Sequence, residues 1–119
     1  MRILVVDDNQ GVATITQLIL EMEGHEVTSA LSGSEGYLAY LRLRPDLVIT
    51  DIQMPGENGF EMMNHIRQQN PRVKAIYMSG NLLEFYADLE TEKDHYPINF
   101  LDKPFSREEL IGQVRQLLS

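Results

Sequence analysis

The sequence predicts an α/β fold with a doubly wound, five-stranded parallel sheet and five helices. Short apolar runs alternate five times with segments of helical periodicity, and this alternation implies parallel strands joined by right-handed crossovers. The apolar runs are continuous, as in strands buried on both faces. The chain has 119 residues, the length of one domain, and contains no linker or low-complexity segment. We therefore expect residues 1–119 to form a single domain.

The predicted strands are apolar runs bounded by polar or helix-breaking residues. The second run is the weakest, and Pro45 and Asp46 interrupt the chain before the third. The predicted limits are 3–6, 26–30, 47–50, 73–78 and 98–101.

A segment with helical periodicity follows each strand. In the first helix, apolar residues recur at three- and four-residue steps from Val12 to Met22, and Gly24 has a typical C-terminal position. Serine at positions 32 and 106, each followed three residues later by glutamate, indicates capping boxes for the second and fifth helices. The apolar residues of the later helices are Tyr37, Leu38 and Leu41 in the second, Phe60, Met63 and Ile66 in the third, Leu82, Leu83, Phe85, Tyr86 and Leu89 in the fourth, and Leu110, Ile111, Val114, Leu117 and Leu118 in the fifth. The acidic residues between Glu84 and Asp94 are interpreted as a solvated helix face.

Composition and charge exclude several classes of function. Hydrophobic residues make up 43% of the chain, which is typical of globular domains. The net charge of -8 disfavours direct binding to nucleic acid or to an anionic membrane. The absence of cysteine excludes disulfides, thiolate metal ligands and thiol nucleophiles, and no apolar run is long enough for a signal peptide or a membrane span. We expect a cytoplasmic domain that binds neither nucleic acid nor membrane.

Reactive side chains follow four of the five predicted strands. Open parallel sheets bind their ligands beyond the carboxyl ends of the strands. The first strand is followed by Asp7 and Asp8, the third by Asp51, the fourth by Ser79 and the fifth by Lys103. These side chains are therefore predicted to meet at one edge of the sheet.

The three aspartates predict a magnesium site. Each pair of carboxylates about 4 Å apart would repel by up to about 4 kcal/mol, and Mg²⁺ relieves this repulsion because it binds oxygen ligands and keeps waters that a phosphate can replace. The predicted ligands are Asp7, Asp8, Asp51 and the backbone carbonyl of Gln53. Asp51 is also a competent nucleophile toward phosphorus when cations neutralise the transferring group.

The chain resembles, from end to end, the receiver domain of the two-component response regulators, with the flavodoxin-like fold of the chemotaxis response regulator. The matching segments are VVDDN at 5–9, DIQMPGENG at 51–59, MSG at 78–80 and KPF at 103–105. The resemblance implies the strand order 2-1-3-4-5. It implies that Asp51 is the phosphoacceptor and that Ser79 and Lys103 bind the phosphoryl group.

Further roles follow from the same resemblance. Mg²⁺, with Mn²⁺ as a substitute, is the implied metal. The Lys103–Pro104 peptide bond is the family's cis bond, and Phe100 is the switch aromatic that moves inward when Ser79 closes on the phosphate. The implied partners are a sensor histidine kinase or histidine phosphotransfer protein, a downstream output domain or protein, and a second copy in a phosphorylation-linked dimer. The domain is then a phosphoacceptor rather than a multiple-turnover enzyme.

Some features depart from the family pattern or leave alternatives open. Residues 82–97 are acidic and lack a small Ala-Gly segment, so the limits of the fourth helix stay open. Gln53 and Asn81 are at the positions where the family tunes dephosphorylation. Taken singly, Asp7 and Asp8 also suit helix capping, and Phe100 suits a core position. The alternative functions are an aspartyl-nucleophile phosphatase, a flavin-binding module and an adaptor that is never phosphorylated.

Overall fold

The structure, a computed structural model, describes all residues from Met1 to Ser119. The elements in chain order are β1 (Arg2–Val6), α1 (Gln10–Met22), β2 (Glu26–Ala30), α2 (Gly33–Leu43), β3 (Leu47–Asp51), α3 (Gly59–Gln69), β4 (Lys74–Ser79), a 3₁₀ turn (Leu82–Phe85), α4 (Tyr86–His95), β5 (Ile98–Asp102) and α5 (Arg107–Leu118). All strand pairs are parallel, in the order β2-β1-β3-β4-β5. The predicted doubly wound sheet and its strand order are thereby confirmed.

The sheet separates two apolar cores. Alternate residues of β1 face opposite cores: Val6 packs with Tyr40 of α2 and the core residues of α3, whereas Val5 packs with Leu20 of α1 and Leu110 of α5. Every residue of β3 is buried. Burial of each such aliphatic side chain contributes about 1.5–3 kcal/mol. The sheet is therefore a rigid support for the side chains at its carboxyl edge.

Side-chain caps begin most of the helices at that same edge. The Ser106–Glu109 capping box is complete, with both reciprocal hydrogen bonds formed. At the start of α2, the Ser32 hydroxyl accepts the Glu35 backbone N–H at 3.1 Å. A second complete capping box, Asn58–Glu61, begins α3 and was not predicted from the sequence. None of the helices combines the length and the apolar character that a membrane crossing requires.

The structure sets the limits of the fourth helix, which the sequence left open. The segment that begins at Leu82 is a 3₁₀ turn, and α4 starts only at Tyr86. Of the apolar residues that suggested this helix, Leu83 is 84% exposed and Tyr86 is 60% exposed. Asn81 does not cap this segment, because its side-chain amide donates instead to the Glu84 carboxylate at 2.9 Å.

Candidate functional site

Three carboxylates converge at the carboxyl edge of the sheet. Asp7 and Asp8 follow β1, and Asp51 ends the adjacent strand β3, in a register that pairs Val6 with Thr50. One carboxylate oxygen from each aspartate lies within 4.8 Å of the other two. Asp7 is fully buried and Asp51 is 8% exposed, whereas Asp8 is exposed. The parallel register of β1 and β3 is the cause of this convergence.

One ammonium group lies against the carboxylates. Lys103 follows β5, and its Nζ donates to Asp7 Oδ2 at 2.7 Å and lies 3.5 Å from Asp51 Oδ2. The backbone N–H of Lys103 donates to the Ser79 carbonyl at 2.9 Å, which extends the pairing of β5 with β4. The Lys103–Pro104 peptide bond is cis. The cluster thus has three carboxylates and only one positive charge, that of Lys103, so negative charge is in excess.

The backbone that carries Asp51 is fixed from both sides. The Ile52 N–H donates to the Met78 carbonyl at 3.0 Å, and the Gly59 N–H donates to the Ile52 carbonyl at 2.9 Å. A Cβ atom at position 59 would overlap with the Asp51 carbonyl oxygen. Glycine at 59 therefore permits the close approach of α3 that holds the end of β3 in place.

The ionisation of Asp51 is perturbed by its surroundings. Burial raises the pKa of the Asp51 carboxyl to about 6, the Lys103 ammonium opposes this shift, and the negative charges of Asp7 and Asp8 increase it. Near neutral pH the carboxyl is still mostly ionised. It is therefore an available nucleophile, in an environment that disfavours its negative charge.

The donor set of this cluster fits a hard divalent cation. All candidate ligands are oxygen atoms, and Lys103 offsets only one of the three negative charges. Mg²⁺ prefers oxygen ligands and uses one or two carboxylates together with waters. Gln53 is exposed and lies two residues beyond Asp51 in the loop before α3, and the role of its carbonyl stays a prediction.

Ser79 and Phe100, the other predicted site residues, lie on β4 and β5. Ser79 ends β4 and is 1% exposed, and its Oγ accepts the Asn81 backbone N–H at 2.9 Å. The hydroxyl proton of Ser79 is thus left for another acceptor. Phe100 is half-buried on β5, paired in register with Tyr77 of β4. Lys93 Nζ lies 5.8 Å from the centre of the Phe100 ring.

A polar network that was not predicted from the sequence lies beneath α4. The acidic residues of α4 were interpreted as a solvated face, and Glu92 contradicts this interpretation. Its Oε1 accepts from Arg67 Nη1 at 2.5 Å and from the Tyr77 hydroxyl at 2.6 Å. The available signal was Arg67, which falls four residues after the buried Met63 and therefore on the buried face of α3.

Comparison with known proteins identifies the family. The family model of the response regulator receiver domain matches residues 3–115. The chain belongs to this receiver domain family. Among curated relatives, the probable transcriptional regulatory protein TcrX of Mycobacterium tuberculosis is 32% identical over 98% of this chain and 49% of its own length. The response regulator SaeR of Staphylococcus aureus is 33% identical over 98% of this chain and 50% of its own.

Solved structures share the fold of this receiver domain. The receiver domain of NtrX from Brucella abortus superposes with a TM-score of 0.84 at 28% identity, covering 98% of this chain and 97% of that one. The chain spans about half the length of the curated relatives that it matches. The family assignment implies a phosphoacceptor role in two-component signalling.

Proposed function

We propose that residues 1–119 form a receiver that accepts a phosphoryl group on Asp51 from a sensor histidine kinase or a phosphotransfer histidine. Asp7, Asp8, Asp51 and the Gln53 carbonyl hold Mg²⁺, or Mn²⁺ as a substitute. Ser79 and Lys103 bind the phosphoryl oxygens. The domain acts as a phosphoacceptor that assists its own phosphorylation and dephosphorylation, in the cytoplasm, rather than as a multiple-turnover enzyme.

The observation that carries this proposal is the charge arrangement at the sheet edge. Three carboxylates lie within 4.8 Å of one another with only Lys103 to offset them. Such an arrangement lowers the stability of the fold unless a cation binds. A site that binds both a divalent cation and a phosphoryl group accounts for this cluster and for the buried hydroxyl at Ser79.

In the transfer step, an Asp51 carboxylate oxygen forms a bond to phosphorus as the bond from phosphorus to the donor imidazole nitrogen breaks. The imidazole keeps the electron pair and takes up a proton, and Asp51 becomes an acyl phosphate. The Lys103 ammonium compensates the negative charge of the transferring group. The Ser79 hydroxyl donates to a phosphoryl oxygen because its own oxygen is already bonded to the Asn81 N–H. When bound, Mg²⁺ supplies electrostatic stabilisation of the transferring group.

An apolar surface on α1 supports a helical phosphodonor as the partner. Ile15, Leu18 and Met22 are 56%, 49% and 72% exposed, and their three- and four-residue spacing aligns them on one face of the helix. Helix α1 begins at Gln10, next to Asp7 and Asp8. A donor helix that covers this stripe would lie beside the acceptor site.

The output is proposed to involve the last two strand-helix units. Phe100 and Ser79 lie on adjacent strands, β5 and β4. A phosphoryl group hydrogen-bonded to Ser79 would favour one position of the Phe100 side chain over another. The matched relatives are about twice as long as this chain, which supports a downstream output domain or protein as a partner. A phosphorylation-linked dimer through the same units is part of the proposal.

Labelling with acetyl phosphate tests the proposed function. Incubation with Mg²⁺ and acetyl phosphate is expected to add one phosphoryl group to the wild-type chain and none to Asp51→Asn. The matched control is Asp102→Asn, since Asp102 is an exposed carboxylate at the same sheet edge but outside the cluster, and this variant should label normally. Equal labelling of Asp51→Asn and wild type would refute the assignment. A chain that takes no label would be the unphosphorylated adaptor.

A further inference from the structure

Helix α4 is attached to the rest of the chain by few side chains. Of its ten residues, Leu89 is buried, Glu92 is half-buried and the others are exposed. In contrast, α3 buries five of its residues. A helix of about ten residues is not stable by itself in water and depends on tertiary packing. The position of α4 therefore depends on Leu89, on the contacts of Glu92 and on the contact of Lys93 with the Phe100 ring.

The Glu92 carboxylate joins α4 to two other elements. It accepts from Arg67 of α3 and from the hydroxyl of Tyr77 of β4. The Arg67 guanidinium carbon lies 3.7 Å from the centre of the Tyr96 ring, directly after α4. The side chains of Arg67 and Glu92 are 4% and 13% exposed. One carboxylate thus holds α4 against both α3 and the sheet.

This ion pair is incompletely compensated. Arg67 Nε and Nη2 are buried and have no hydrogen-bond partner. Removing two charges from water is unfavourable, and the attraction between them repays that penalty only when all their polar atoms are bonded. Opening α4 would return the guanidinium and the carboxylate to water. The ion pair therefore holds α4 closed less strongly than a fully bonded pair would.

The network is connected to the acceptor site through β4. Tyr77 lies two residues before Ser79, so both side chains are on the same face of the strand. In the register of the sheet, Tyr77 pairs with Phe100 and Ser79 pairs with Asp102. Phe60 packs against Tyr77 with ring centres 4.8 Å apart. Tyr77, which bonds Glu92, is thus adjacent to Phe100 across the sheet and two residues from Ser79 along β4.

We propose that the Arg67–Glu92 pair is a latch that holds α4 closed when Asp51 is a free carboxylate, and that the phosphoryl group on Asp51 opens it. This inference rests on the proposed function for its trigger, whereas the latch itself is a property of the unmodified chain. Coupling between two sites is reciprocal. Weakening the latch must therefore raise the affinity of the acceptor site for a phosphoryl analogue.

Hydrogen exchange of the unmodified chain tests the latch without any phosphoryl chemistry. In Glu92→Gln, the amides of α4 are expected to exchange about tenfold faster than in wild type, with α1 and α5 unchanged. The matched control is Glu90→Gln, an exposed glutamate on the same helix with no bonded partner, which should exchange as wild type does. Equal exchange of α4 in the two variants would overturn the latch.

Equilibrium binding of beryllofluoride, an analogue of the phosphoryl group on a carboxylate, tests the coupling in the presence of Mg²⁺. Glu92→Gln should bind it about threefold to tenfold more tightly than wild type. The triple variant Arg67→Met, Tyr77→Phe, Glu92→Leu replaces the network by apolar contacts, which hold a helix at least as firmly as an ion pair. It should bind beryllofluoride more weakly than wild type.

The outcomes separate the two proposals. Faster exchange in Glu92→Gln with unchanged beryllofluoride affinity would overturn the coupling to the acceptor site. A triple variant that binds as tightly as Glu92→Gln would also overturn it, because the two variants are expected to act in opposite directions on α4. Beryllofluoride binding that survives Asp51→Asn would refute the proposed function and leave the exchange result intact.

Discussion

Replacement of Asp51 by asparagine should stabilise the metal-free chain. In the folded protein the pKa of Asp51 is raised from 3.8 to about 6. At pH values below 3.8 the Asp51 carboxyl is protonated in both the folded and the unfolded chain, so its ionisation does not change the free energy of unfolding. As the pH rises through the two values, the folded state must give up a proton it binds more tightly, so the free energy of unfolding falls. The neutral amide of asparagine removes this penalty.

The magnitude follows from the size of the shift. A difference of roughly two units corresponds to about 3 kcal/mol near pH 7.5, falling to about 1 kcal/mol near pH 4.5. Urea denaturation of wild type and Asp51→Asn in the presence of a chelator measures this difference. The control is Asp102→Asn, which removes one negative charge from the same edge outside the cluster. A variant no more stable than wild type near pH 7.5, or equally stabilised at both pH values, would refute the reasoning.

Three other substitutions test separate parts of the site. Gly59→Ala should lower the free energy of unfolding by about 1–3 kcal/mol in urea denaturation, because the Cβ of the alanine overlaps the Asp51 carbonyl. The control is Gly112→Ala, which lies in an open helical position and should not be destabilised. Lys103→Met should lower labelling by acetyl phosphate at least about tenfold. It should also lower the free energy of unfolding by about 3 kcal/mol, because Asp7 remains as a buried charge without its partner. Unchanged labelling would show that Lys103 has no part in the transfer step. Leu18→Glu should slow phosphotransfer from a phosphohistidine donor and leave labelling by acetyl phosphate unchanged; equal slowing of both would contradict a docking role for α1.

The geometry of the candidate site was largely predictable because it follows from strand topology. Once continuous apolar runs are assigned to parallel strands, the residues after each run must meet at one edge. Asp7, Asp51 and Lys103 meet there through pairing alone. No information on side-chain packing was needed for this inference.

The region around α4 could not be predicted because it depends on contacts between distant parts of the chain. Glu92 is one of several acidic residues in its segment, and only its distance to Arg67 and Tyr77, which lie on other elements, distinguishes it. At the 3₁₀ turn that begins at Leu82, the Asn81 side chain bonds Glu84 and does not cap a helix. The raised pKa of Asp51 depends in the same way on burial that only the folded chain provides.

Chemical identification of the modified residue tests the central claim most directly. Borohydride reduces an aspartyl phosphate to homoserine, so the wild-type chain labelled with acetyl phosphate and Mg²⁺ can be reduced, digested and sequenced by tandem mass spectrometry. We expect homoserine at position 51 and aspartate at positions 7 and 8. Homoserine at either of the other two aspartates, or a phosphoryl group on a residue outside the cluster, would contradict the account.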